Sequence, residues 1–143
     1  MIVKEFNIED LQNIKAVDEH FELRYLDLKY YANYIDTMSV VAKTVWIDNE
    51  PAFIAAVAPD GEGKFWGIFV VGEKLQQEFS RYGRKILREV LAHINDLGLD
   101  NLHTTCYNNN MKGQRLVKLL GFKETGELYD THGRKMKQFS RVR

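Results

Sequence analysis

The chain has little of what bends, cross-links or electrostatically steers a protein. Its only cysteine is Cys106, so no internal disulfide can form and no cysteine cluster can hold a metal. A reducing compartment fits that usage. Prolines are limited to Pro51 and Pro59, and there is no repeat, low-complexity tract or linker. Twenty Lys and Arg offset 20 Asp and Glu, which argues against bulk electrostatic binding of nucleic acid and leaves only a local patch. No apolar run approaches the ~20 residues of a membrane span. The start, MIVKEFNIED, carries Lys4 and Glu5 where a secretory leader would be apolar. A cytoplasmic protein is therefore expected. The four histidines, His20, His93, His103 and His132, are scattered without metal-site spacing.

What remains is one domain's worth of chain, residues 1–143, with 45% hydrophobic and 28% charged residues, enough to bury a core and stay in solution. Residues 1–6 read as a first strand, with Asn7 or Asp10 as the cap of a helix over 8–20, where Leu11, Ile14 and Val17 recur at helical spacing. The Leu- and Tyr-rich stretch 21–35 predicts a second helix. Residues 39–47 and 52–58 predict a hairpin across Asp48-Asn49-Glu50-Pro51. The apolar run FWGIFVV, 65–71, reads as a central strand covered on both faces. The clearest helix spans 80–97, with Ser80 as its cap and Gly98 as its stop. A strand over 101–107 follows, then a helix closed by Gly121, then strands over 122–128 and 135–140 around a turn with Asp130, Thr131, His132 and Gly133.

The order is β-α-α-β-β-β-α-β-α-β-β, an α/β fold with a mostly antiparallel sheet. The unit from 65 to 107 should supply one parallel pair. Where pairing changes from antiparallel to parallel, neighbouring strands can splay, and a ligand can reach backbone amides beside a helix N-terminus. The stretch NNNMKGQRLVKLLGF, 108–122, falls at that place.

Element order and this stretch together resemble the GNAT family, the acetyl-CoA-dependent N-acetyltransferases. Asn110, Gly113, Val117, Gly121 and Phe122 stand with the spacing of the family's last helix. The resemblance implies acetyl-CoA as cofactor, with Asn110 on its pantetheine arm and the amides of Val70 and Val71 on the acetyl carbonyl and pantetheine. It implies a pyrophosphate loop at Glu78-Phe79-Ser80-Arg81-Tyr82-Gly83, so that Arg81, Tyr82, Gly83 and Arg84 become cofactor-binding candidates. Val117 occupies the place of the family's proton-donating tyrosine, and Glu78 puts a carboxylate where the loop usually begins. A closer likeness is to degenerate phage-encoded GNAT-like proteins related to small internal virion proteins. It rests on Phe69-Val70, Arg81 to Lys85, Asn110 to Gly121 and Gln138-Phe139.

Each candidate has a plainer reading. Asn110 is also a good helix cap. Arg81, Arg84, Lys85 and Arg88 also make an ordinary solvated basic face. Tyr107 is a candidate acid or a packing residue with a wet hydroxyl. Glu73 is the carboxylate nearest the central strand and the candidate base. Tyr25, Tyr30, Tyr31 and Tyr34 line an amine pocket, make a protein contact or simply pack a helix. Cys106 reads as a core thiol. Three functions follow. The first is acetyl transfer to a small-molecule or protein amine by direct attack on the thioester. The second is a catalytically silent GNAT fold that binds a partner, in a homodimer or in a virion. The third and weakest is nucleic-acid binding through the basic helix and the tail from Arg134 to Arg143.

Overall fold

A computed structural model describes residues 1–17 and 27–141. Its strands are β1 (Ile2–Glu5), β2 (Val41–Ile47), β3 (Glu50–Pro59), β4 (Phe65–Val71), β5 (Leu102–Tyr107), β6 (Lys123–Tyr129) and β7 (Lys135–Arg141). Its helices are α1 (Ile8–Asn13), α2 (Leu28–Met38), α3 (Glu73–Gln77), α4 (Phe79–Leu97) and α5 (Met111–Leu119). The strands form one seven-stranded sheet in the order β1-β2-β3-β4-β5-β7-β6. Every pair is antiparallel except β4 with β5. The fold is thus the mixed, mostly antiparallel sheet expected, with α3 added between the central strand and the long helix.

The sheet buries a different core on each face. On one face Ile86, Val90 and Ile94 of α4 and Val117 of α5 pack on Val45, Phe53, Leu102 and Phe139. On the other, Leu11 and Ile14 join Ala32 and Ile35 of α2 over Ile54, Ala56, Ile68 and Val70. The β2–β3 turn has Asp48 and Asn49 at φ 50 and 63, the left-handed pair that matches the twist of a two-residue hairpin. Pro51, which cannot donate to a ladder, stands opposite Trp46 where the register slips between Val45 and Trp46.

Two expectations need correction. The first helix stops at Asn13, because residues 15–17 run extended to β4: Glu73 N–H donates to the Lys15 carbonyl at 2.7 Å and Val17 N–H to the Val71 carbonyl at 3.0 Å. Helical periodicity at Val17 thus loses to backbone pairing. The long helix begins at Phe79, one residue before the expected cap Ser80, and its N-cap residue Glu78 makes no side-chain cap. The last strand, β7, is interior to the sheet, and β1 and β6 are the edges. The second helix is described from Leu28, with Asp27 Oδ1 capping Lys29 and Tyr30; His20, Phe21 and Tyr25 lie outside the described residues.

Candidate functional site

The parallel pairing of β4 with β5 covers Phe65 with Leu102 and Trp66 with His103, and ends there. One residue further the Thr104 hydroxyl donates to the Gly67 carbonyl at 2.8 Å, a side chain standing in for the next ladder bond. Beyond it the strands part around a cleft of about 880 Å³ walled by β4, β5, the start of α5 and the β6–β7 turn.

Which amides face this cleft follows from ladder alternation. Gly72 N–H donates to the carbonyl of its opposite, Ala52, at 2.8 Å, so Gly72 and Val70 turn their polar backbone towards β3 while Val71, Phe69 and Gly67 turn theirs away. Val70 lines the cleft, but its N–H is committed to the ladder with Ile54, which corrects its expected role. Val71 does turn that way, and its carbonyl accepts from Val17. Phe69 turns its N–H into the gap, although the sequence assigned it no role at the site. Its ring stacks on Phe53 and meets Phe122 edge-on, both at 6.3 Å between centroids. The Gly-Phe ending of α5 therefore acts through packing: Phe122 pins the residue whose amide faces the gap.

The start of α5 forms the second wall. Asn110 is buried, and its Oδ1 accepts from Gly113 N–H at 2.9 Å. A Cβ on Gly113 would collide with that amide group, so the cap requires glycine there. The Asn110 Nδ2 makes no hydrogen bond among the described residues, so capping and ligand contact are compatible in one side chain. Gln114, also missed, is buried and donates from Nε2 to the carbonyls of Tyr107 and Asn108, both at 3.0 Å. It fixes the turn from β5 into α5. Val117 is buried in the core and has no proton to give.

Tyr107 closes the third wall. Its hydroxyl donates to Asp130 Oδ2 at 2.9 Å, while Asp130 Oδ1 accepts from the N–H of His132 at 2.9 Å and of Arg134 at 2.8 Å. Burial works against ionisation of Asp130, but the Arg134 N–H, the Tyr107 hydroxyl and the His132 N–H and charge outweigh it and hold the carboxyl below its usual range. The Tyr107 proton is therefore directed at a carboxylate, a poor arrangement for a general acid. Tyr31 and the buried Cys106 also line the cleft.

The other candidates stand apart. Glu73 is exposed at the start of α3, outside the cleft lining, with its N–H on Lys15. Arg81, Tyr82, Gly83 and Arg84 lie on α4, and none lines the cleft. The amides of Arg81 and Tyr82 both bond the Glu78 carbonyl at 3.0 Å, and the Arg81 guanidinium lies 5.1 Å from the Tyr82 ring. The Phe79 ring lies on Gly83 so closely that a Cβ there would meet it at 2.8 Å. The face where a glycine would admit a phosphate is thus covered by the chain's own aromatic ring. Phe69 and Asn110 in the cleft fit the thioester end of acetyl-CoA, and the start of α4, with Phe79 over Gly83, does not fit its diphosphate end. His103 pairs with Asp60 at 2.9 Å beside Trp66, at the closed end of the strand pair. No group of three His, Cys, Asp or Glu that could hold a metal occurs among the described residues, and none of their helices is long and apolar enough to cross a membrane.

No family model matches the sequence, and no curated protein matches it. Solved structures do match. Ard1 from Thermoplasma volcanium is 12% identical with a TM-score of 0.76, over 99% of this chain and 96% of that one. A ribosomal-protein-alanine N-acetyltransferase from Brucella melitensis is 13% identical with a TM-score of 0.66, over 100% of both chains. An acetyltransferase of the GNAT family from Bacillus anthracis is 13% identical with a TM-score of 0.67, over 98% and 93%. The chain has the GNAT fold, and the neighbours from Brucella melitensis and Bacillus anthracis are acetyltransferases.

Proposed function

We propose that the chain is an acetyl-CoA-dependent N-acetyltransferase acting on a primary amine by direct attack on the thioester. The observation that carries this reading is the early parting of β4 from β5, which turns the Phe69 N–H into a cleft beside Asn110. The acetyltransferases with this fold support it. Asn110 Nδ2 would hold the pantetheine arm. The Phe69 N–H, fixed by its pinned ring, is a preorganised dipole for a carbonyl oxygen that gains charge. Acetyl-CoA, when bound, supplies an acyl group whose C–S bond breaks as the new C–N bond forms. The attacking nitrogen sheds two protons, one to solvent before attack and one to the departing sulfur. This route asks nothing of Val117, and nothing of Tyr107, whose proton is directed at Asp130.

Phe79 over Gly83 and the valine at 117 favour a second reading, a catalytically silent fold that binds a protein partner, as in a virion. Calorimetric titration with acetyl-CoA and with CoA separates the two. Micromolar binding, followed by amine-dependent thiol release, is the expected result. No binding at millimolar ligand would overturn acetyl transfer in favour of the silent fold.

A further inference from the structure

The cleft has one acidic side chain that acetyl transfer leaves unused. Among the described residues that line it, Asp130 is the sole carboxylate. A carboxylate has about four acceptor sites. Three are filled, by the backbone N–H of His132, the backbone N–H of Arg134 and the Tyr107 hydroxyl. The fourth is on Oδ2, the oxygen that Tyr107 approaches. The three bonds also fix where that oxygen points: the turn repeats itself through Asp130 N–H to the Arg134 carbonyl at 2.9 Å and Gly133 N–H to the Asp130 carbonyl at 3.1 Å. The surrounding walls are largely aliphatic and aromatic, including Phe69, Val71, Leu116, Leu128 and Met136. Lys112 and Arg115, on the exposed side of α5, and His132 are the basic side chains that share the lining.

We propose that Asp130 is the anchor for a second, non-reacting ammonium of the acceptor, so that the preferred acceptor is an aliphatic diamine. This rests on the acetyl-transfer reading for the word acceptor, but the binding site stands without it. The chemistry decides between anchor and base. A carboxylate already stabilised by three donors is too weak a base to take a proton from an ammonium, and a strong counter-ion for one that keeps its proton. Holding the reacting nitrogen there would keep it protonated and inert. A methylene chain along the apolar walls separates the held charge from the nitrogen that attacks. Tyr107 then serves as a positioning residue for Asp130.

The test is calorimetric titration of the whole chain with 1,4-diaminobutane and with its uncharged isostere 1,4-butanediol, in the absence of acetyl-CoA, for wild type, Asp130→Asn and Tyr107→Phe. Asparagine retains an Oδ1 acceptor for the turn, removes the charge and puts an NH2 group opposite the Tyr107 hydroxyl, which can accept from it. The diamine should bind at least about tenfold tighter than the diol, the size of a charge-assisted bond. Asp130→Asn should abolish that preference and Tyr107→Phe should reduce it severalfold. Equal wild-type affinities for the two ligands, or a diamine preference that survives Asp130→Asn, would overturn the proposal. If Asp130→Asn fails to fold, an undiminished preference in Tyr107→Phe would overturn it instead. With acetyl-CoA present, thiol release should be severalfold faster with 1,4-diaminobutane than with 1-aminobutane at equal concentration, and equal rates would overturn the preference for a diamine. An Asp130-dependent diamine affinity without thiol release from acetyl-CoA supports the anchor and removes acetyl transfer.

Discussion

At Gly113 the absence of one carbon atom decides how α5 begins. The Asn110 side chain occupies the volume a Cβ would need, and from there it caps the helix. Gly113→Ala should therefore cost about 1–2 kcal/mol, from the lost cap, read as a lower urea midpoint. The cap reading of Asn110 was legible because spacing places it at the helix start, whereas its ligand contact was only what the family resemblance implied. That its oxygen does the first and leaves its nitrogen for the second was not legible. Phe79 makes the opposite case. It was read as a loop residue, yet its ring covers Gly83. Phe79→Ala should tighten CoA binding severalfold in the same titration, whereas Arg81→Ala, which lies outside the cleft, should leave it within about twofold. Unchanged affinity in Phe79→Ala would show that the ring is no obstacle.

Helix α1 shows how an element is held by more than its own propensity. Asn7 accepts from Glu9 N–H, Asp10 returns a bond to Asn7 N–H at 2.9 Å, and Asp10 Oδ2 also accepts from the buried Thr44 hydroxyl of β2 at 2.7 Å. Sequence offered Asn7 or Asp10 as the cap; the structure uses both, in a reciprocal box. Asp10→Ala breaks the box and strands the Thr44 hydroxyl in the core. It should cost about 2–4 kcal/mol, the sum of a cap and an unpaired buried group, measured by urea denaturation. The end of α1 was misread because local periodicity cannot register a competing strand: β4 is more than 50 residues away in sequence, yet its end claims residues 15–17.

Across the whole molecule, acid stability should follow two depressed carboxyls. Asp60 is lowered first by the Glu62 N–H, against burial, and then by His103 and the Lys64 N–H; Asp130 is lowered despite burial by the turn and Tyr107. In the unfolded chain each would take its proton near the ordinary value of about 3.9. The stability they contribute is therefore complete above pH ~4 and lost as pH falls through the lower folded values. The urea midpoint should hold nearly level between pH 7 and 5 and drop below pH ~4, with a shallower drop in Asp130→Asn. A drop already present near pH 6 would point to the histidines instead.

The sequence by itself determined the element order apart from α3, the central position of β4, the parallel unit from 65 to 107 and the spacing of Asn110 from Gly121-Phe122. All of these are written in local periodicity, turn chemistry and spacing. Only the tertiary structure decided where the pairing of β4 and β5 stops, that Phe69 rather than Val70 turns its amide into the gap, and that Tyr107 meets Asp130 across 23 residues of chain. Those outcomes depend on which backbone groups a neighbouring strand has already claimed. A hydrogen bond used on one side of a strand is unavailable on the other, and that exclusion becomes visible only once the neighbours are in place.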